Sequence, residues 1–232
     1  MSKTGNQHLK SLRDGREVYL NGKKIDDVTK HPAFKNAVAA TANLYDFQSD
    51  PKNIEYMTFE SPTSKKRVNR CWQLTKSYDE LVLRRKSISS WAKLSAGWLG
   101  RSPDHIASSM VGQVMGLNVF ENHSPERAKA LLNYFNWARD QDHYMTYVII
   151  NPQANRNKNI SEQKDEFLAT AVVDEDPEGI TVRGGKMLGT GSIMANEILF
   201  ANMNVIGPNG DIQLAEIPVD DLILLLLSIV SS

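Results

Sequence analysis

The chain has 232 residues, enough for one large domain or two small ones around a real hydrophobic core. Lys plus Arg and Asp plus Glu both number 27, so no global field favours nucleic acid or an anionic membrane, and neither is expected as a partner. Cys71 is the single cysteine, which excludes an internal disulfide and cysteine-rich zinc centres and fits a reducing, cytoplasmic setting.

In chain order, the first twenty residues lack an apolar run, so no secretory signal is expected. EVYLNGKKI, residues 17–25, places Asn-Gly between two short runs and predicts a two-residue hairpin turn. After His31-Pro32, the spacing of Phe34, Val38, Ala42 and Tyr45 predicts an amphipathic helix that stops before Asp50-Pro51. A longer helix is expected from Ser77, its serine cap, to Gly97, with Leu81, Ile88, Trp91, Leu94 and Trp98 as the buried stripe. Ser102-Pro103-Asp104 restarts a helix with Ile106, Met110, Val114 and Leu117 on its apolar face, and Ser124-Pro125-Glu126 starts another that carries Ala128, Leu131, Leu132, Phe135 and Ala138.

From Met145 the period changes. MTYVII runs into Asn151-Pro152, a polar stretch follows, and then FLATAVVDED, GITVRGGKMLGTGS and EILFANMNVI read as strands between Gly-rich turns. Helices followed by strands give an α+β class: a helical domain over residues 1–144, an antiparallel β domain over 145–218, and an apolar tail over 219–232. The tail's run of about nine apolar residues is far short of the ~20 that cross a bilayer.

The chemistry is confined to a few places. His123 and His143 lack the spacing of an HExxH pair, so no metal site is expected; no Gly-x-Ser-x-Gly elbow and no P-loop is present. Three clusters remain, Arg101 to His105, Thr146 to Gln153 and Lys186 to Ser192. They offer a cation beside an imidazole, hydroxyls and amides at a strand end, and backbone N–H groups in a Gly-rich turn. Brought together, such groups suit a planar, anionic, hydrogen-bonding ligand.

LGRSPDHIAS, TYVIINPQANR and GITVRGGKMLGTGSIMANEILF, in this order and spacing, resemble three blocks of the 4-hydroxyphenylacetate 3-hydroxylase family, the oxygenase components of two-component flavin monooxygenases. The resemblance runs from residue 17 to about Pro218. It implies an acyl-CoA dehydrogenase-like fold, reduced FAD delivered by a separate NAD(P)H:flavin reductase, O₂ as co-substrate, and oxygen transfer to the ring carbon beside the hydroxyl of a small phenol. It also implies a homo-oligomer for the full-length protein. The flavin supplies the difficult chemistry, and the protein orients it and excludes water.

By the same resemblance, Arg101 matches an arginine at the flavin and substrate site, where its guanidinium favours a phenolate. Asn151 and Gln153 match an Asn-Pro-Gln element beside the isoalloxazine, and Thr190 matches a threonine of the flavin-contacting turn. His105 stands where many hydroxylating members have tyrosine, and Tyr147 where they have histidine, an exchange of the two side-chain types that assigns both positions to the catalytic set, with Tyr147 also at the flavin. The family's C-terminal helical bundle has no counterpart in IPVDDLILLLLSIVSS, so the expected activity is that of an amino-terminal piece, with a non-catalytic, weakly flavin-binding remnant as the alternative. A 4-hydroxybutyryl-CoA dehydratase-like lyase is set aside, since Cys71 alone does not hold an iron–sulfur cluster.

Overall fold

The computed structural model describes residues 2–152, 154–155, 157–158, 163–165, 167–176, 179–200 and the strand at 225–228. The chain divides into two units: Met1–Thr146 with Gly191–Glu197 and Ser228–Ser232, and Tyr147–Thr190 with Ile198–Leu227. The model is mixed helix and sheet, as the period change near Met145 predicts.

The first unit opens with α1 (Gly5–Ser11), which the sequence reading left out. Its signal is a capping box: Thr4 Oγ1 accepts from the Gln7 amide at 3.3 Å while the Gln7 side chain accepts from the Thr4 amide at 2.8 Å. The expected hairpin follows as β1 (Val18–Leu20) and β2 (Lys23–Ile25), with Asn21 and Gly22 at φ 51° and 74°, the positive values that a two-residue turn matching strand twist demands. Helix α2 (Lys35–Ser49) buries Val38, Ala42 and Tyr45 on the expected stripe. Tyr45 joins Leu12, Ile25, Val28, Val38, Tyr144, Met194 and Ala195 in one apolar cluster, against which Leu99 also packs.

A short helix α3 (Ile54–Met57) and a hairpin of β3 (Thr58–Glu60) with β4 (Arg67–Asn69) come next. These runs are too short to show a period, and their fit comes from side chains that reach other elements. Ser61 Oγ donates to Asp140 at 2.5 Å, Thr63 donates to the same carboxylate, and the buried Arg139 donates to Thr63 Oγ1 at 2.6 Å.

Helix α4 (Tyr78–Leu94) starts at the expected cap, Ser77 Oγ accepting from the Glu80 amide. Its expected apolar stripe is buried only in part, at Trp91 and partly at Ile88. Trp91 is fully buried, its indole N–H donating to the Leu44 carbonyl at 2.9 Å, and Ser87 is buried one turn earlier. Leu81 and Leu94 are exposed, and Trp98, 91% exposed, lies beyond the helix end, where Ala96 and Gly97 take positive φ and turn the chain away. A stripe projected on past Leu94 therefore loses its geometry.

Helix α5 (Asp104–Met115) buries Ile106, Met110 and Val114 as expected. Two details differ. Pro103 occupies the cap position, and the Ser102 hydroxyl binds the Asp104 carboxylate at 2.5 Å rather than a backbone amide. Gly116 interrupts the helix, so Leu117 begins a separate α6 (Leu117–His123) with no buried residue. Helix α7 (Pro125–Asp140) has Ser124 as its cap, Pro125 in the first turn, and Ala128, Leu131, Phe135 and Ala138 buried.

In the second unit, β6 (Ala171–Asp176) and β7 (Gly179–Arg183) form an antiparallel pair with a register shift between Val172 and Asp174. Strands β5 (Met145–Val148), β8 (Glu197–Phe200) and β9 (Leu225–Ser228) form a sheet in the order β5-β8-β9. No helix among the described residues is long and apolar enough to cross a membrane.

Candidate functional site

The sequence-predicted residues fall into two clusters, one in each unit. In the first, Leu99 to Pro103 form the loop that leads into α5. Arg101 is half-buried there, and His105 is exposed in the first helical turn. The loop is fixed from below. The Tyr144 hydroxyl donates to the Arg101 backbone carbonyl, and Tyr144 is fully buried. Burial, with the Asp104 carboxylate nearby, pushes the Tyr144 phenol well above its ordinary value, so it stays protonated and remains a donor.

Gly191 stands against the same phenol. A methyl group at this glycine would lie 2.8 Å from the Tyr144 oxygen and 3.8 Å from Thr146 Oγ1, and its φ of 85° disfavours any side chain. Residues from all three sequence clusters thus meet within the first unit through their backbone and framework atoms: Arg101, Thr146 and Gly191 around Tyr144. Tyr144 itself escaped the sequence reading, because a tyrosine between a helix end and a strand start carries no pattern of its own.

In the second unit the end of the β5 run meets the Gly-rich turn. Ile150 and Met187 make an antiparallel bridge, the Met187 amide donating to the Ile150 carbonyl at 2.8 Å. One residue along on each side, Lys186 Nζ donates to Asn151 Oδ1 at 2.6 Å, and burial lowers the Lys186 pKa from its ordinary value. The turn continues through Leu188 at φ 63°, and the Thr190 amide donates to the Leu188 carbonyl at 2.7 Å, leaving the Thr190 side chain exposed. Tyr147 is half-buried in this unit. Gln153 lies outside the described residues.

The donor set of this second cluster is an amide with its N–H groups beyond the Lys186 bond, two hydroxyls and a lysine. These groups can both donate and accept, as the carbonyl and N3–H edge of an isoalloxazine requires, and the lysine is a cation of the kind that phosphate takes. These residues fit a flavin. Among the described residues no group of His, Cys, Asp and Glu is placed to hold a metal ion.

Comparison with known proteins bears on the same question. A family profile described as the 4-hydroxyphenylacetate 3-hydroxylase N terminal matches residues 4–215. The 4-hydroxyphenylacetate 3-monooxygenase oxygenase component of Geobacillus sp. (strain PA-9) is 36% identical over 199 residues, 85% of this chain and 40% of that protein. The oxygenase component of 4-nitrophenol 2-monooxygenase from Rhodococcus sp. is 35% identical, covering 88% of this chain and 38% of its own length. The chain thus spans about 40% of the length of the relatives it matches.

Among solved structures, the oxygenase component HpaB of 4-hydroxyphenylacetate 3-monooxygenase, complexed with FAD, superposes with a TM-score of 0.79 at 31% identity, over 90% of this chain and 43% of that one. A 4-hydroxybutyryl-CoA dehydratase from N. maritimus matches with a TM-score of 0.70 at 23% identity, which speaks to the fold alone. The profile match extends across both units and includes all the residues carried over above, so the chain belongs to the 4-hydroxyphenylacetate 3-hydroxylase N-terminal family.

Proposed function

We propose that this chain provides the flavin-binding and phenol-binding part of an oxygenase component that uses reduced FAD and O₂ to hydroxylate a small phenol beside its hydroxyl group. The relatives named above support the reaction class, and a neighbouring HpaB structure complexed with both FAD and 4-hydroxyphenylacetate supports the ligand pair. The single observation that carries the reading to this chain is the Lys186–Asn151 bond, which holds the strand-end amide against the turn that leads to Thr190.

In this reading, Asn151 and Thr190 bind the polar edge of the flavin, with Gln153 beside them, and Lys186 keeps the Asn151 oxygen fixed so that its N–H groups face the ligand. Bound reduced FAD supplies the oxygen-activating chemistry. His105 takes the proton from the phenol oxygen, and the Arg101 guanidinium favours the resulting phenolate, whose ring carbon beside the oxygen is the more electron-rich for it. Tyr147 holds the substrate or flavin through its hydroxyl, the role taken by histidine where the two side-chain types are exchanged. A separate reductase supplies the reduced flavin, and in the full-length protein the subunits form a homo-oligomer.

The test uses the chain as it stands. FAD is titrated against it by flavin fluorescence, then reduced FAD, 4-hydroxyphenylacetate and O₂ are added and the dihydroxylated product is followed by chromatography. Saturable FAD binding with product formation is expected. Binding without product supports the alternative, a flavin-binding piece without turnover, and absence of FAD binding overturns the proposal.

A further inference from the structure

We infer that Tyr144 is a positioning residue: its buried hydroxyl is the strut that immobilises the backbone at Arg101, and Gly191 exists to leave that strut room. The inference rests on the proposed role of Arg101 as an anion-binding group, but its geometry stands by itself. The loop from Gly97 to Pro103 follows two residues at positive φ, Ala96 and Gly97, and is anchored below by Leu99 packed on the apolar cluster to which Tyr144 belongs. The Tyr144 hydroxyl donates to the Arg101 carbonyl from the buried side of the loop.

Two further observations point the same way. Tyr144 is buried among apolar side chains at 0% exposure, so its hydroxyl has no water to exchange with and the bond to Arg101 satisfies it. Its main chain is pinned as well, the Tyr144 amide donating to Asn196 Oδ1 at 3.1 Å and its carbonyl accepting from the Asn196 amide at 2.7 Å. The ring therefore cannot follow the loop if the loop moves. On the other side, a side chain at Gly191 would meet the phenol oxygen at 2.8 Å and displace it from Arg101. A fixed carbonyl at Arg101 narrows where its guanidinium can reach, which is what selective recognition of one phenolate oxygen requires.

The test is limited trypsin digestion of the ligand-free chain, read by mass spectrometry at two bonds, Arg101–Ser102 and a reference bond in the exposed β1–β2 hairpin after Lys23. Tyr144→Phe removes only the hydroxyl. Cleavage after Arg101 is expected to quicken at least about fivefold, with cleavage after Lys23 unchanged. Gly191→Ala is expected to quicken the same bond, and the double variant to be no faster than the faster single one, since both act by breaking one hydrogen bond. An unchanged rate after Arg101 in Tyr144→Phe, or an equal rise at both bonds, overturns the inference. A parallel titration with 4-nitrophenol separates it from the functional reading: if the parent chain does not bind the phenol while the loop still loosens in Tyr144→Phe, the phenol role of Arg101 fails and the strut stands.

Discussion

Lys186 and Asn151, one on each side of an antiparallel bridge between Ile150 and Met187, share a hydrogen bond of 2.6 Å that crosses from a glycine-rich turn to a strand end. Burial lowers the lysine's pKa, so part of the cost of keeping its charge is offset by this contact. Lys186→Met keeps the length and apolar stem but removes the donor. It is expected to weaken FAD binding about five- to tenfold in a fluorescence titration, with little change in Tm; equal affinity would remove the orienting role from Lys186.

Arg101→Ala tests the other cluster. A half-buried arginine on a loop contributes only about 0–1 kcal/mol to stability, so the variant should melt within a few degrees of the parent. Its affinity for 4-nitrophenolate should fall at least about tenfold, measured by the absorbance change of the phenolate on binding. A parallel loss of stability and affinity would return Arg101 to a structural role.

Two imidazoles, the buried His8 and the half-buried His143, make the chain acid-sensitive. Burial, with the Lys3 ammonium nearby, lowers His143 to about 4 and holds His8 well below its ordinary value. Between pH 6.5 and about 4 the unfolded chain therefore takes up protons that the folded chain refuses, and stability falls as pH falls through this window. Asp142, whose carboxyl burial raises, works in the opposite sense. His143→Phe preserves the ring packing on Trp137, whose centroid lies 4.6 Å from that of His143, and is expected to flatten the acid branch by about 1–2 kcal/mol. Superimposable pH–Tm curves for parent and variant would show that His143 is not held neutral.

The two faces of α4 predict opposite outcomes. Trp91→Ala opens a cavity in the core and loses the bond to the Leu44 carbonyl, an expected cost of about 3–5 kcal/mol by urea denaturation. Leu81→Ser, on an exposed position, should change stability by no more than about 0.5 kcal/mol. A large effect at Leu81 would mean that the exposed face is covered in solution.

These contrasts mark what the sequence could and could not convey. Asn21-Gly22, Ser77 and Ser124-Pro125 fix a turn and two helix starts through local chemistry, and each stands where local rules put it. The stripe of α4 holds at Trp91 and fails at Leu81, Leu94 and Trp98, because periodicity records spacing and says nothing of how far the core extends; Trp91 is buried because Leu44 and Tyr45 are there to receive it. Gly116 splits a helix that the spacing of apolar residues carried straight through to Leu117. Of the candidate site, the motif residues were visible as chemistry, whereas Tyr144 and the partnership of Lys186 with Asn151 became visible only once distant segments were folded together.

The seven residues Gly191–Glu197 belong to the first unit although residues 147–190 intervene. Their carbonyls at Ser192, Ile193 and Ala195 receive the Arg16 guanidinium, and Asn196 receives the Lys3 ammonium and donates to Ser11. During synthesis the amino-terminal helices thus leave the ribosome long before the strip that closes them. Until that strip arrives, Arg16 keeps the Asp14 carboxylate and Lys3 the Asp142 carbonyl, but the acceptors that tie both to residues 192–196 are missing, so the amino-terminal unit is completed late.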